Sequence, residues 1–313
     1  MSAQAYAGGG NMNVVRRYHE YFREMQPLPL TVFFSVLQAS SVFCFYSLLS
    51  GAPQFPPASA WYAAATAILF YVIFRINDEI KDEDFDRIHH PTRPMVDGRV
   101  KYSDLKFLAI FSFVLMVALN FNRGFSTSAA MMLVVFLAMS AHAFYFPDEV
   151  RRNFALTLAT GGHPMLLIGN FYFYSVYRDL TGLSPNVWLV VVTCLLFSFP
   201  AMAWEISRKI RAPSQETEFP SYSKWWGARR ATLIPITYLS IISATYLAIG
   251  LAFHFSMFFV LGNLVISAVA LGIFIRFALA PEAKNNHLKL TNELYDVAAR
   301  LLILGEVARR LYG

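Results

Sequence analysis

The segment RINDEIKDEDFDR (residues 75–87) contains six acidic residues in thirteen positions and follows a long apolar run. Like charges crowded on a helix repel one another, and acidic side chains beside hydrocarbon are unfavourable. The whole chain is 56% hydrophobic and 15% charged, whereas soluble domains contain about 25% charged residues. The composition therefore predicts a membrane protein, with this acidic segment at the membrane surface.

Eight apolar segments are long enough, or nearly so, to cross a hydrocarbon layer of roughly 30 Å as helices of about 20 residues. They lie near residues 29–50, 58–77, 105–122, 127–147, 154–176, 186–204, 232–253 and 256–279. A ninth segment, 294–312, is either a tilted final span or a surface helix, of which the span is favoured. Residues 1–28 are expected to form an N-terminal interfacial segment. The sequence thus predicts a single all-α domain over residues 1–313, a polytopic transmembrane bundle of eight to nine helices.

Lysine and arginine are concentrated in alternate loops, and the opposite loops contain only Arg123 and Arg178. The positive-inside rule places the N-terminus and the two longest polar loops, 78–104 and 205–231, on the cytoplasmic side. The net charge of +6 is then a one-sided basic face that orients the chain. We expect a multi-pass protein of a bacterial inner membrane, and no nucleic-acid partner for a chain this apolar.

Asp78, Asp82 and Asp86 are spaced i, i+4, i+8, which places them within about 80° of one another on a helix. Arg75 lies one turn earlier on the same face. Stacked carboxylates destabilise a helix unless a cation lies between them, and hard oxygen ligands suit Mg²⁺. The spacing alone is equally compatible with a solvated acidic loop. The prolines and the glycine that follow predict a tight path that returns Arg93 to the acids.

The stretch INDEIKDEDFDRIHHPTRPMVDGRV (residues 76–100) resembles the first signature loop of the UbiA superfamily of intramembrane prenyltransferases. In that family an NxxxDxxxD motif ends the second of nine transmembrane helices, and an Arg-Pro pair and a glycine follow. The matching positions here are Asp78, Asp82, Asp86, Arg93, Pro94 and Gly98. An aspartate thus stands where an asparagine is usual, which changes the charge of one ligand.

Two further loops resemble those of the family. In YFPDEVRRN (145–153), Tyr145 matches a family tyrosine, and Arg151 or Arg152 replaces a lysine. The loop at 204–231 is similar to the second acidic loop, which carries a DxxxD motif for a second magnesium. Here only Glu205 is on an acid position, and Lys209 follows four residues later. Either these two residues form an ion pair and the second metal site is lost, or fixed cations replace that metal.

The resemblance implies a Mg²⁺-dependent prenyltransferase that moves an isoprenoid chain from an allylic prenyl diphosphate to a small lipophilic or aromatic acceptor. The expected acceptor is an aromatic or quinone precursor, and pyrophosphate is released. The implied catalytic residues are Asp78, Asp82, Asp86, Arg93, Glu205 and Lys209, of which the four acids are the metal ligands. The implied diphosphate-binding residues are Arg75, Arg93, Arg151, Arg152, Lys209, Arg211 and Tyr145. His163 and Asn170 in the fifth span are weaker candidates for contact with the acceptor, since such residues more often link helices.

Two rival functions remain open at this stage. A membrane terpene cyclase would share the ionisation step and quench the cation internally, without an external acceptor. A transporter or a non-catalytic membrane binding protein would keep the bundle and lack the chemistry. The altered second loop favours that rival, and the position of the charges at the rim opposes it, because transporters usually bind substrate near the bilayer midplane.

Overall fold

The computed structural model of the chain describes residues 13–143, 163–218 and 221–313. Regular structure in these residues is helical throughout, which confirms the predicted all-α fold. The α-helices are α1 (Val14–Glu24), α2 (Leu28–Leu49), α3 (Trp61–Lys81), α4 (Glu83–His89), α5 (Tyr102–Asn120), α6 (Phe125–Ala143), α7 (His163–Thr181), α8 (Val187–Ser207), α9 (Tyr222–Trp226), α10 (Ala228–Ala252), α11 (Met257–Leu279) and α12 (Leu288–Tyr312).

Six segments of the described chain are long and apolar enough to cross a membrane. They are Leu28–Leu49, Ala58–Ile80, Tyr102–Asn120, Val187–Ser207, Ala228–Ala252 and Met257–Leu279. Each begins and ends close to a span predicted from the sequence. The predicted fourth and fifth spans correspond to α6 and α7, and residues 144–147 and 154–162 of those predictions lie outside the described residues.

The chain forms two compact units, one of Met1–Ala39 with Pro57–Arg152 and the other of Ser40–Pro56 with Asn153–Gly313. In the first unit, α5 packs against both α3 and α6. In the second unit, α8 contacts α7, α10 and α12, while α11 packs against α10 and α12. Each unit therefore contains one of the two long polar loops.

The ninth predicted segment forms α12, which extends through the whole second unit. Two residues before its start, Asn286 Nδ2 donates to the carbonyl oxygen of Ile210, 3.2 Å away, just beyond the end of α8. Near its other end, Arg310 Nη2 donates to the carbonyl oxygen of Phe253, 2.9 Å away, just beyond the end of α10. Because α8 and α10 end on opposite sides of the unit, α12 crosses it from one side to the other.

Charged residues within α12 are tolerated because they are paired. Arg300 is 5% exposed, and its Nε donates to Asp296 Oδ2 at 2.9 Å while its Nη1 donates to Ser41 Oγ at 3.1 Å. Glu306 is fully buried and accepts a hydrogen bond from Ser256 Oγ at 2.5 Å. An unpaired charge in such surroundings would be strongly destabilising.

The amphipathic helix α1 is held on the first unit by ion pairs. Arg17 Nε donates to Asp104 Oδ2, 2.7 Å away, at the start of α5. Arg99 Nη1 donates to Glu24 Oε1 at 2.7 Å and so joins α1 to the loop before α5. Hydrogen bonds from Arg99 and from Arg23 lower the pKa of Glu24 to about 2. The helix therefore lies against the start of α5 and the loop that precedes it.

Candidate functional site

The acidic segment forms the end of α3 and the short helix α4, with a break at Asp82. The single regular helix assumed from the spacing is thus interrupted, since Asp82 has φ −92° and ψ 6°. Its N–H still donates to the carbonyl oxygen of Asp78 at 2.9 Å, and the N–H of Asp86 donates to that of Asp82 at 2.8 Å. The break gives α4 an N-terminus of its own, where the acids of its first turn are stabilised by the helix dipole. The three aspartates consequently remain one turn apart.

Arg93 returns to the acids, as the sequence predicts. Its Nη1 contacts Asp86 Oδ2 and lies 3.7 Å from Glu79 Oε1. Glu79 also pairs with Arg75, one turn earlier on α3. Both Glu79 and Asp86 are 2% exposed, so two buried carboxylates hold two guanidinium groups at the end of the span.

Glu79 is a site residue that the motif did not identify. Its i, i+4 spacing from Arg75 indicates an ion pair in the sequence, although the motif drew attention to Asp78 instead. The Nε of Arg75 is buried without a hydrogen-bond partner among the described residues. A buried donor of this kind can be satisfied by an anionic ligand.

The loop from Arg93 to Val100 is tightly closed. The N–H of Asp97 donates to the carbonyl oxygen of Arg93 at 2.9 Å, and that of Val100 donates to the carbonyl oxygen of Pro94 at 2.8 Å. Gly98 has φ +80°, a left-handed conformation that favours glycine. The Gly98 position of the motif thus has a physical role, because it closes the loop that places Arg93.

Tyr21 of α1 is fully buried in a cluster with Val72, Ile76, Val100 and Leu105. Its hydroxyl has no hydrogen-bond partner in the described part of the chain. Burial raises the pKa of Tyr21, and the neighbouring charge of Glu79 raises this pKa further. The sequence analysis did not identify Tyr21, because its approach to this face depends on how α1 packs.

Among the residues that the structure describes, no three His, Cys, Asp or Glu side chains form a group that could hold a metal ion. Asp86 engages Arg93, and Asp78 and Asp82 are half-buried carboxylates one turn apart. Mg²⁺ is commonly held by one or two carboxylates together with substrate phosphates. The residues present therefore fit a magnesium ion that is shared with a phosphorylated substrate.

In the second unit, Glu205 is surrounded by cations. It accepts hydrogen bonds from Arg208 Nε at 2.6 Å and Arg208 Nη2 at 2.9 Å, and Lys209 Nζ lies 2.7 Å from its Oε1. This is the ion pair expected from the first of the two sequence interpretations. Arg211 bonds to Thr217 within the same loop. The loop therefore has two cations, Arg208 and Lys209, anchored on the carboxylate of Glu205, with Arg211 nearby in sequence.

Five predicted site residues are not placed in either of these two clusters by the described part of the structure. Tyr145, Arg151 and Arg152 lie outside the described residues. His163 begins α7, and its side chain also lies outside the part of the chain that the structure describes. Asn170 is 3% exposed, and its Nδ2 donates to Ser198 Oγ at 3.0 Å, which joins α7 to α8.

The family model of the UbiA prenyltransferase family matches residues 39–292. The chain belongs to the UbiA prenyltransferase family. The UbiA match includes both polar loops, whereas α1 and most of α12 lie outside it. No curated protein matches the chain.

Two solved structures share the UbiA fold with this chain. One is a structure reported for digeranylgeranylglyceryl phosphate synthase in membranes, with a TM-score of 0.63 and 13% identity over 95% of this chain and 100% of that chain. The other is the apo structure of a UbiA homolog from Aeropyrum pernix K1, with a TM-score of 0.59 and 14% identity over 96% of this chain and 100% of that chain. At these identities the similarity establishes the fold alone.

Proposed function

We propose that this protein is an intramembrane prenyltransferase that transfers an isoprenoid chain from an allylic prenyl diphosphate to an acceptor and releases pyrophosphate. The acceptor is proposed to be an aromatic or quinone precursor, as is common in the family. Family membership supports the class of reaction. The geometry that carries the proposal is the group of carboxylates and guanidinium groups where the apolar helix α3 ends.

Arg75 and Arg93 are oriented before any substrate binds, because Glu79 and Asp86 hold them. An arginine has five N–H donors, so each can engage a carboxylate and still donate to phosphate oxygens. The unpartnered Nε of Arg75 is one such donor. These two side chains are therefore suited to grip a diphosphate as negative charge develops on it.

Asp78 and Asp82 are proposed as the ligands of Mg²⁺ in this unit, with Asp86 positioning Arg93. When bound, the ion supplies positive charge that stabilises the departing diphosphate. The roles of Glu205, Lys209 and Arg211 in metal or diphosphate binding rest on the sequence resemblance, and those of Tyr145, Arg151 and Arg152 rest on it likewise.

The reaction also requires that water be kept from the carbocation, and the apolar helices can provide this protection. Loss of diphosphate from an allylic carbon leaves a cation that water would trap unless the site excludes it. Phe74 lies one turn before Asp78 on α3, and its ring stacks on that of Phe70 with centroids 6.4 Å apart. Aromatic faces can stabilise a nearby cation. Phe74 is therefore proposed to line the hydrocarbon end of the site.

The test is a pyrophosphate-release assay on the purified full chain with allylic diphosphates of several chain lengths, with and without magnesium. We expect Asp82→Asn to lower the rate by about 10²-fold, the loss typical of removing one electrostatic contact to the transition state. Asp84→Asn is the matched control, because Asp84 lies in the same segment and is exposed to solvent. Equal rates for the two variants would contradict the proposed site.

The same assay separates the rival functions. Cyclised hydrocarbon formed without acceptor would identify a terpene cyclase. Absence of magnesium-dependent pyrophosphate release from every donor would support a non-catalytic protein.

A further inference from the structure

We propose that the second unit binds the phosphate group of an anionic membrane lipid in a cavity beside the N-terminus of α12. The cavity has a volume of about 370 Å³ and lies between the end of α8, the loop that follows it and the first turn of α12. Ser207 and Glu205 are two residues apart, which separates them by about 200° around α8. The cavity shares Arg208 with the Glu205 ion pair, but Lys209 and Arg211, the diphosphate candidates of this loop, do not line it.

A buried hydroxyl without a partner marks this cavity. Ser207 lines it, is 2% exposed, and has an Oγ that forms no hydrogen bond with any described residue. Buried hydroxyl groups are normally hydrogen-bonded, because an unsatisfied one loses its water without compensation. A ligand oxygen in the cavity would satisfy Ser207.

The N-terminus of α12 adds backbone donors to the same cavity. His287 is the N-cap residue of this 25-residue helix, its side chain forms no capping hydrogen bond, and the first turn contains no acidic residue. The first N–H groups of any α-helix lack partners within the helix, and together with the helix dipole they attract anions. His287, Lys289 and Leu290 from this turn line the cavity.

The charged side chains of the lining favour a phosphate. Arg208 uses its Nε and Nη2 to hold Glu205 and retains further donors for a second anion. Lys289 is exposed over 59% of its side chain, and its Nζ lies 3.7 Å from Glu293, beyond hydrogen-bonding distance. Glu293 is the one acid in the lining and is held separately by Trp204 Nε1 at 2.8 Å. Lys289 can therefore turn to a ligand without breaking a hydrogen bond.

An apolar strip on α12 indicates that the phosphate belongs to a lipid. Leu290, Leu294 and Leu301 are 54%, 61% and 54% exposed and lie on one face of the helix, running away from the cavity. An acyl chain attached to a phosphate in the cavity would cover this strip. Basic pockets between transmembrane helices bind anionic head groups in the same manner. A free phosphate ion has no acyl chain and would not cover these leucines.

The experiment titrates the purified full chain in detergent with dioctanoyl phosphatidylglycerol, dioctanoyl phosphatidylcholine and inorganic phosphate, and follows binding by calorimetry. We expect phosphatidylglycerol to bind at least about tenfold more tightly than either comparison compound. The double variant Ser207→Ala, Lys289→Gln should lower that affinity by about tenfold or more, since hydrogen bonds to charged groups are the strong ones. Lys284→Gln is the control, because Lys284 lies in the segment before α12, is exposed and does not line the cavity.

Unchanged affinity in the double variant would overturn the site. Inorganic phosphate that binds as tightly as phosphatidylglycerol would overturn the lipid assignment, and equal binding of phosphatidylcholine would overturn the requirement for an anion. If the double variant fails to fold, the exposed Lys289→Gln alone decides the same question. No prenyl donor takes part, so the result is independent of the proposed catalytic function.

Discussion

Glu79 is the residue on which the geometry of the first polar loop depends. It is buried and lies between Arg75 and Arg93, which are themselves partly exposed. A buried carboxylate is stable only where cations and hydrogen bonds replace its water. Glu79 and the arginines therefore stabilise one another, and loss of one leaves an uncompensated charge on the others.

Glu79→Gln should lower the free energy of unfolding by about 1–3 kcal/mol, below the range for breaking a fully buried pair because both arginines reach solvent. Thermal unfolding of the purified protein measures the change. Glu83→Gln is the matched control, since Glu83 pairs with Arg87 at 2.5 Å on the surface, where such pairs contribute at most about 1 kcal/mol. Equal losses in the two variants would show that Glu79 has no special role.

Glu24 makes the attachment of α1 dependent on pH. Its pKa is about 2 in the folded chain, against about 4.3 in an unfolded one. The carboxylate therefore stabilises the fold fully above about pH 5, and this contribution is lost as the pH falls towards 2. Because Glu24 and Arg99 are partly exposed, we expect less than about 1 kcal/mol.

Melting curves of the wild-type protein and Glu24→Gln test this point. The difference in melting temperature should be largest at pH 7 and should shrink as the pH falls from about 5 towards 2, because the unfolded chain takes up a proton at Glu24 before the folded chain does. A difference that stays constant with pH would mean that Glu24 acts through packing rather than charge.

At the scale of elements, the loop from Arg93 to Val100 connects the acidic segment to α5 and to α1. It depends on the left-handed backbone of Gly98, since φ is +80° and there is open space where a Cβ would stand. A substitution there meets no steric clash and tests the backbone conformation alone. The loop also carries Arg93, so its stability and the geometry of the acids are linked.

Gly98→Ala should destabilise the protein by about 1–2 kcal/mol, the penalty for a left-handed residue with a Cβ. Gly272→Ala is the matched control, because Gly272 also has open space for a Cβ but lies within α11 with ordinary helical φ. Alanine is the better helix former by up to about 1 kcal/mol. Opposite shifts in melting temperature are expected, and shifts in the same direction would contradict the backbone explanation.

The spans were predictable because their cause is local: a run of apolar residues must form a helix wherever it meets hydrocarbon. The break at Asp82 was not predictable from the spacing of the aspartates. Repulsion between crowded acids disfavours one continuous helix, whereas a new helix N-terminus stabilises the acids of its first turn. The return of Arg93 to the acids was predictable from Pro91, Pro94 and Gly98, which fix the path of the loop on both sides of Arg93. Tyr21 lies far away in sequence, and no local pattern places it beside Glu79.

At the scale of the whole molecule, membership of the UbiA family was predictable from one loop, and the match over residues 39–292 confirms it. The second loop was less predictable, because Glu205 and Lys209 allowed two interpretations. The two residues form an ion pair in the structure. This ion pair is compatible with both interpretations, so the binding of diphosphate by Lys209 must be measured. The path of α12 across the second unit was less predictable, because its charged residues argue against a span. Composition alone does not show that such charges are paired, as Arg300 is with Asp296.

The charges of the chain predict its orientation in the membrane, and two exposed positions at opposite ends of α8 can measure it. Arg178 is near the end of α7, and Arg208, Lys209 and Arg211 are at the far end of α8. The positive-inside rule places the larger group in the cytoplasm. In bacterial cells that express the chain, Leu183→Cys should react with a membrane-impermeant maleimide, because Leu183 is 38% exposed on the opposite side.

Ser214→Cys is the matched variant, since Ser214 is exposed in the loop after α8. It should be labelled only after the cells are permeabilised. The native thiols Cys44 and Cys194 are buried, so the unaltered chain supplies a low background. Labelling of Ser214→Cys in intact cells, with protection of Leu183→Cys, would invert the predicted topology of α8 and place the second polar loop outside the cytoplasm. Such a result would contradict the proposed reaction as well, because prenyl diphosphates are charged metabolites that do not cross the bilayer unaided.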